Sequence, residues 1–323
     1  MTEAARAPGE RRSAAVTIGV ITFRRATDLR EILPLLLQQA AEVTGPEYRV
    51  DVLVVDNDAE GSARPVVEAL GSPRVRYVVE PTPGIAAARN RVLDEGDSAD
   101  LLVFIDDDER PRPQWLRSLL ETRARSGAAA VAGAVISAFD GPLDPWVQAG
   151  DFFRRRRLPT GTPIRVAATN NLLLDMAVLR RTGLRFDPAF GITGGSDTLF
   201  TRRLVAAGET MVWCDEAVVI DRVPVSRMTR QWVLRRAFRS GNSTSRVDLV
   251  LAGTAAARVG ARVRAVARGV PRVVAGAARW SLGKVTRSAR HEAAGLRTAA
   301  RGAGMLAGTV GVAYQEYRRP AAA

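Results

Sequence analysis

The chain has 323 residues, 46% hydrophobic and 25% charged, with a formal net charge of +13, a balance that reads as globular, with one large core or one core plus an appendage. Cys214 is the single cysteine and His291 the single histidine, which excludes an intrachain disulfide, zinc sites built from Cys and His, and Ser-His-Asp or Cys-His catalysis. Any chemistry must then rest on carboxylates, arginines, hydroxyls and backbone, and a metal would be a hard, oxygen-bound ion such as Mg²⁺ or Mn²⁺.

Residues 1–15 are polar and charged, lack an apolar h-region, and read as a disordered tail rather than a signal peptide. No run of 18 apolar residues follows anywhere, so the expected compartment is the cytoplasm. Residues 16–23 (VTIGVITF) are short, β-branched and apolar, as in a buried strand. Asp28-Leu29-Arg30-Glu31 has the form of a capping box. Leu29, Ile32, Leu33 and Leu36 then share a helical face, with Pro34 expected to kink the helix. Strands are expected over 50–55, 75–79, 101–105 and 129–138, and helices over 84–95, 113–125 and 228–239. Alternating strands and helices over the first half indicate a doubly wound α/β sheet.

Two of those strands end in acids. Asp56-Asn57-Asp58 follows the second, and Asp106-Asp107-Asp108 follows the run at 101–105. Clustered carboxylates repel, and burying them is costly unless they are paired or metal-bound. A solvated turn accounts for one such cluster. Two at equivalent carboxyl ends, where ligands bind in sheets of this kind, point to one shared cleft. The D-x-D form lets alternate carboxylates face one side and hold a divalent ion, which could bridge a diphosphate. No G-x-x-x-x-G-K-S/T is present, and the first strand is not followed by G-x-G-x-x-G, so neither a P-loop nor a dinucleotide-binding turn is expected. The run Arg154–Arg157 is either a solvated loop or a grip on something anionic.

The order of motifs is more specific than any one of them. It runs from TFRR (22–25) through VVDND (54–58), GIAAARN (84–90) and FIDDD (104–108) to ATNNLLLDMAVLRRTG (168–183). FDPAFGITGGSDTLFTRRLVAAG (186–208) and RRAFRSGN (235–242) follow. Over about residues 16–245 this succession resembles the family-2 glycosyltransferases, above all bacterial enzymes that build cell-surface polysaccharides or glycosylate lipid-linked and small-molecule acceptors. The resemblance implies a GT-A fold, a doubly wound mixed sheet with a nucleotide-binding half and an acceptor-binding half. It implies an inverting, metal-dependent hexosyl transfer from a nucleotide-sugar donor, a UDP-sugar.

The resemblance also implies roles by residue. Thr22, Phe23, Arg24 and Asp56 would contact the nucleoside, Asp56 as acceptor for the uracil N–H. Arg89 would lie near the pyrophosphate or base. Asp106 and Asp107 would face the donor, and Asp108 with Asp106 the metal. Thr169, Asn170, Asn171, Gly195 and Ser196 would line the sugar and acceptor pocket. Asp197 would be the general base. Arg236 and Arg239 would neutralise the departing diphosphate. The chain departs from the family in having Ile21 where proline is usual and Ser196-Asp197 where Glu-Asp is common. Asp221 is the stand-in for a further metal ligand. A nucleotidyltransferase on a similar sheet, or a degenerate transferase that binds membrane or nucleic acid, are the alternatives.

Residues 246–323 differ in composition and form a separate helical region. From residue 247 onward there are thirteen basic and three acidic residues, so +10 of the +13 lies there. Arg258/Arg262, Arg268/Arg272 and Arg297/Arg301 are i, i+4 pairs, interleaved with Val263, Val266, Val270, Val273, Val274 and Trp280. Such a basic amphipathic pattern suits an anionic membrane surface, with peripheral attachment, or an ordinary helical cap with a charged outer face. Aromatics for stacking are sparse and no recognised motif is present, which argues against nucleic acid.

Overall fold

The computed structural model describes residues 12–312. Most of the tail expected over 1–15 lies outside the described residues, and Ala14 and Ala15 already belong to the first strand. Strands β1 (Ala14–Thr22), β2 (Tyr48–Asp56), β3 (Val75–Val79) and β4 (Leu101–Asp106) are parallel, in the order β3-β2-β1-β4. Helices α1 (Ala26–Val43), α2 (Arg64–Leu70) and α3 (Ile85–Glu95) make the connections.

The strands alternate their side chains between two apolar layers. Val16, Ile18 and Val20 of β1 pack with Leu29, Ile32, Leu33 and Leu36 of α1 on one face. Leu53 and Val55 of β2 pack with Ala88 and Val92 of α3 on the other. Gly19 permits that second contact, since a Cβ there would run into the Val92 side chain. Helix α1 begins two residues before the expected capping box. Its N-cap is Arg25, without a side-chain cap, and Asp28 lies inside the first turn. The helix continues through Pro34.

After β4 the chain makes β5 (Glu109–Pro111), α4 (Trp115–Ser126), β6 (Ala130–Phe139), α5 (Pro145–Gly150), β7 (Asn171–Asp175), α6 (Met176–Thr182), α7 (Ser196–Ala206) and β8 (Met211–Val223). Strand β7 is antiparallel to β4 and β6, β8 is parallel to β6, and β5 is antiparallel to β8. The result is one mixed eight-stranded sheet, β3-β2-β1-β4-β7-β6-β8-β5.

Three helices follow: α8 (Arg230–Leu251), α9 (Ala255–Val285) and α10 (Ala289–Thr309). Helix α8 runs through the boundary expected at 245/246 and buries Asn242, Ser245 and Val247. Helix α10 packs against both α8 and α9. At Gly241 and Gly304 a Cβ would strike the backbone of Arg301 and Phe238, and at Gly276 and Gly295 it would strike Ala299 and Trp280. Missing side chains thus set how closely these helices approach.

Candidate active site

Strands β1, β2 and β4 end level with one another, Thr22 opposite Asp56 and Ile21 opposite Asp106. Beyond these ends opens a cavity of about 720 Å³. Its floor is the acidic turn. Thr22 Oγ1 donates to Asp107 Oδ2 at 2.7 Å. Arg25 Nη1 donates to Asp107 Oδ1 at 2.8 Å and to Asp108 Oδ2 at 2.9 Å, and Arg227 Nη1 reaches Asp108 Oδ2 at 3.5 Å. One guanidinium therefore holds two adjacent carboxylates together.

Burial pushes the Asp106 carboxyl up to about 7, opposed by Arg89 and reinforced by Asp108 and Asp107. It pushes Asp107 up to about 6, against the pull of Arg25. Glu109, on β5, is raised well above the usual carboxylate range by burial, with Asp106 adding to the effect. Its Oε1 accepts from Asn170 Nδ2, while its Oε2 is buried without a hydrogen-bond partner. These shifts share one cause, negative charge desolvated beside negative charge.

Further lining comes from α3 and α7. Arg89 is buried, lies over the Phe186 ring at 5.5 Å, and donates to Ser196 Oγ at 2.6 Å. Asp197 sits in the first turn of α7, where its Oδ1 accepts from Thr198 N at 2.8 Å. Gly194 and Gly195 precede it with φ of 75° and 92°, a left-handed turn that glycine adopts without steric cost. Helix α8 supplies Trp232, Arg235, Arg236 and Arg239 to the same cavity. Phe153 stacks on Trp232 with centroids 5.7 Å apart and planes 11° from parallel. Arg155, from the Arg154–Arg157 run, is ion-paired to Asp221.

The fold brings most of the residues singled out in the sequence to this one cavity: Thr22, Phe23, Arg89, Asp106, Asp107, Asp108, Thr169, Asn170, Asp197, Asp221, Arg236 and Arg239 line it. Others take different places. Arg24 has φ of 53°, which turns it away from Arg25, and its guanidinium meets Asp58 at 2.8 Å and Glu60 at 3.6 Å. The Asp56 carboxylate is buried and accepts from Ala63 N, Asp58 N and Tyr77 Oη at 2.7, 3.1 and 2.9 Å. Its neighbour Asn57 lines the cavity instead, and accepts from Gly84 N at 3.0 Å. Asn171 fastens the sheet to α4, accepting from Trp115 Nε1 and donating to the carbonyls of Ala134 and Ala217. Ser196 supports Arg89, and Gly195 is the N-cap of α7.

Arg25, Glu109, Phe153, Arg155, Arg227, Trp232 and Arg235 also line the cavity, and the sequence assigns none of them a role beyond the anionic grip offered for the Arg154–Arg157 run. Arg25 and Glu109 adjoin the motifs that were read. The arginine run at 154–157 was a signal without a direction. Among the described residues, no three acidic, histidine or cysteine side chains already converge as ligands to one ion.

The family model described as "Glycosyl transferase family 2" matches residues 17–183. Succinoglycan biosynthesis protein ExoM of Rhizobium meliloti (strain 1021) is 39% identical over 236 residues, 72% of this chain and 74% of that protein. Glycosyltransferase AglE of Haloferax volcanii is 24% identical over 206 residues, 63% of this chain and 65% of that one. Among solved structures, that of GalNAc-T7 with UDP, GalNAc and Mn²⁺ superposes with a TM-score of 0.52 at 11% identity. That match takes in 72% of this chain but only 51% of the other, and at such low identity it bears on the fold alone, which is GT-A.

Proposed function

The chain belongs to glycosyl transferase family 2, and we propose that it transfers a hexosyl group from a UDP-sugar to an acceptor hydroxyl, with inversion, during assembly of a bacterial cell-surface polysaccharide. The likeness to a succinoglycan biosynthesis protein supports the last part. One observation carries the chemistry: the acids after β4, Asp197 at the start of α7, and the arginines of α8 line a single cavity beyond the strand ends. That arrangement provides for a nucleoside diphosphate on one side and an acceptor hydroxyl on another.

In this reading Thr22, Phe23 and Asn57 face the nucleoside, while Arg24 and Asp56 shape the loops behind it. Arg89 lies beside the diphosphate, held by Ser196. Asp197 removes the acceptor proton as the acceptor oxygen bonds to the anomeric carbon and the donor's sugar–phosphate bond breaks, releasing UDP. Arg236 and Arg239, with Arg235, stabilise the charge on the leaving diphosphate. Thr169 and Asn170 form the sugar side of the cavity, and the stacked Phe153 and Trp232 offer it an apolar face.

The acidic corner fits a divalent cation, Mg²⁺ or Mn²⁺. All its donors are hard oxygens, Glu109 Oε2 lacks a partner, and Asp106 and Asp107 are held above their ordinary ionisation range. Asp106 and Asp108 would hold the ion, with Asp221 next to them. Bound there, it would neutralise charge on the donor diphosphate.

The acceptor is a lipid-linked saccharide or a small molecule, met on the cytoplasmic side at an anionic membrane surface. In this reading attachment is peripheral, and no helix among the described residues is long and apolar enough to cross a membrane. The test is to incubate the protein with a panel of nucleotide sugars, Mn²⁺ and lipid-diphosphate saccharide acceptors, and to measure the released nucleotide. UDP is expected. Release of pyrophosphate, or no UDP from any UDP-sugar, rejects the proposal.

A further inference from the structure

Helix α9 is built the wrong way round for a helix that faces water. Its buried positions are Ala261, Ala265, Gly269, Gly276 and Gly283, the small side chains that let α10 approach. Its larger aliphatic side chains point outward. Val259, Val263, Val266, Val270 and Val274 recur at spacings of three and four, so they share one face, and each is between 43% and 63% exposed. Leu282 and Val285 continue outward exposure to the helix end. Of the fourteen large hydrophobic side chains exposed among the described residues, these seven lie on this one helix. An apolar ridge of four turns left open to water is unfavourable unless something covers it.

The charge on α9 says what. The helix carries six arginines and Lys284 and no acidic residue. Arg258, Arg262, Arg264, Arg268, Arg272 and Arg279 are all exposed. Among the described residues only Arg268 approaches a carboxylate, Asp248 at 4.0 Å, and Lys284 meets Glu292 on α10. A second copy of the chain docking along this ridge would bring arginines against arginines. An anionic lipid surface instead offers hydrocarbon to the valines and phosphate to the guanidinium groups, whose long stems let the charge reach the headgroups while the helix lies at the boundary.

We propose that the outer face of α9 is a membrane-docking surface, lying in the plane of an anionic bilayer with the ridge Val259–Val274 inserted and the flanking arginines on lipid phosphates. The inference deepens the membrane location in the proposed function and rests on it in that respect alone. Its geometry is separate from the sugar chemistry. Helix α10 ties α9 to α8, whose first half supplies Arg235, Arg236 and Arg239 to the cavity, so docking would hold the cavity within a few helix diameters of the lipid.

The test uses the full chain, a triple variant Val263→Ser/Val266→Ser/Val270→Ser and a double variant Arg258→Gln/Arg264→Gln. Co-sedimentation is measured with vesicles of pure phosphatidylcholine and of equimolar phosphatidylglycerol and phosphatidylcholine, at low and high salt. The wild type should bind the anionic vesicles preferentially, and less as salt rises. The valine variant should lose about 100-fold or more in partitioning at either salt, from the apolar transfer of three side chains. The arginine variant should lose about 25-fold at low salt and less at high salt, at roughly fivefold per charge. Both should melt at the wild-type temperature, because all five residues are exposed on the outer side of α9. UDP with Mn²⁺ should raise the melting temperature of all three proteins alike; failure of that alone rejects the donor reading and leaves docking intact. Docking is overturned if the wild type does not prefer anionic vesicles, or if the valine variant binds as well as the wild type. It is also overturned if the wild type is a dimer that the valine substitutions dissociate, which would make the ridge an interface between copies.

Discussion

Arg25→Ala removes the one side chain that bridges Asp107 and Asp108, at 2.8 and 2.9 Å. The Asp107 side chain is only 5% exposed, whereas Arg25 is 40% exposed. Breaking a fully buried ion pair costs about 3–5 kcal/mol, and an exposed pair contributes about 0–1 kcal/mol. A pair with one buried and one half-open partner falls between, at about 2–3 kcal/mol, or roughly 4–10 °C in melting temperature for a protein of this size.

The loss should depend on pH in a defined direction. Asp107 and Asp106 are held up at about 6 and about 7 because burial disfavours their charged forms. A carboxyl raised in the folded state binds its proton more tightly there than in the unfolded chain. Its contribution to stability is complete below the unfolded value of about 4 and is lost as pH rises through the folded value. Without Arg25 both carboxyls rise further, so the deficit should be largest near pH 8 and small near pH 5, where both are protonated in either protein. Mn²⁺ at pH 8 should restore part of the difference, because a cation again sits among the carboxylates. Thermal unfolding of wild type and variant across that range, with and without Mn²⁺, measures all of this. A deficit equal at every pH, or absent near pH 8, refutes the argument.

Asp197→Asn should lower kcat by roughly 10²–10⁴-fold, the usual contribution of a general base, while UDP binding by calorimetry stays unchanged; lost UDP affinity would make Asp197 a structural element of α7 instead. Asn171→Ala strands Trp115 Nε1 and the carbonyls of Ala134 and Ala217 in the interior, so denaturant unfolding should show a loss of about 2–4 kcal/mol, and a change below about 0.5 kcal/mol would contradict that role. Gly276→Leu drives a side chain into the backbone of α10 at Ala299. Amide exchange should rise along α9 and α10 while the strands stay protected, and unchanged exchange in both helices would mean that they do not pack this closely.

Much of this molecule was legible in its residues. The β-branched runs marked β1 to β4 because burial on both faces of a parallel sheet demands continuous apolar sequence. The acids after β4 stood out because charge at the end of such a run calls for a partner. Which side chain faces the cavity was not legible. Arg24 and Arg25 are neighbours in the chain, but the left-handed backbone at Arg24 sends one to Asp58 and the other to Asp107. Asn57 rather than Asp56 likewise faces the cavity, because three donors inside the fold claim the Asp56 carboxylate. The two stripes of α9 show the same limit. Hydropathy ranks the valines above the alanines and glycines as core residues, yet the inward stripe is the small one. Close approach of two helix backbones requires small side chains where they meet, and only the packed structure shows where that is.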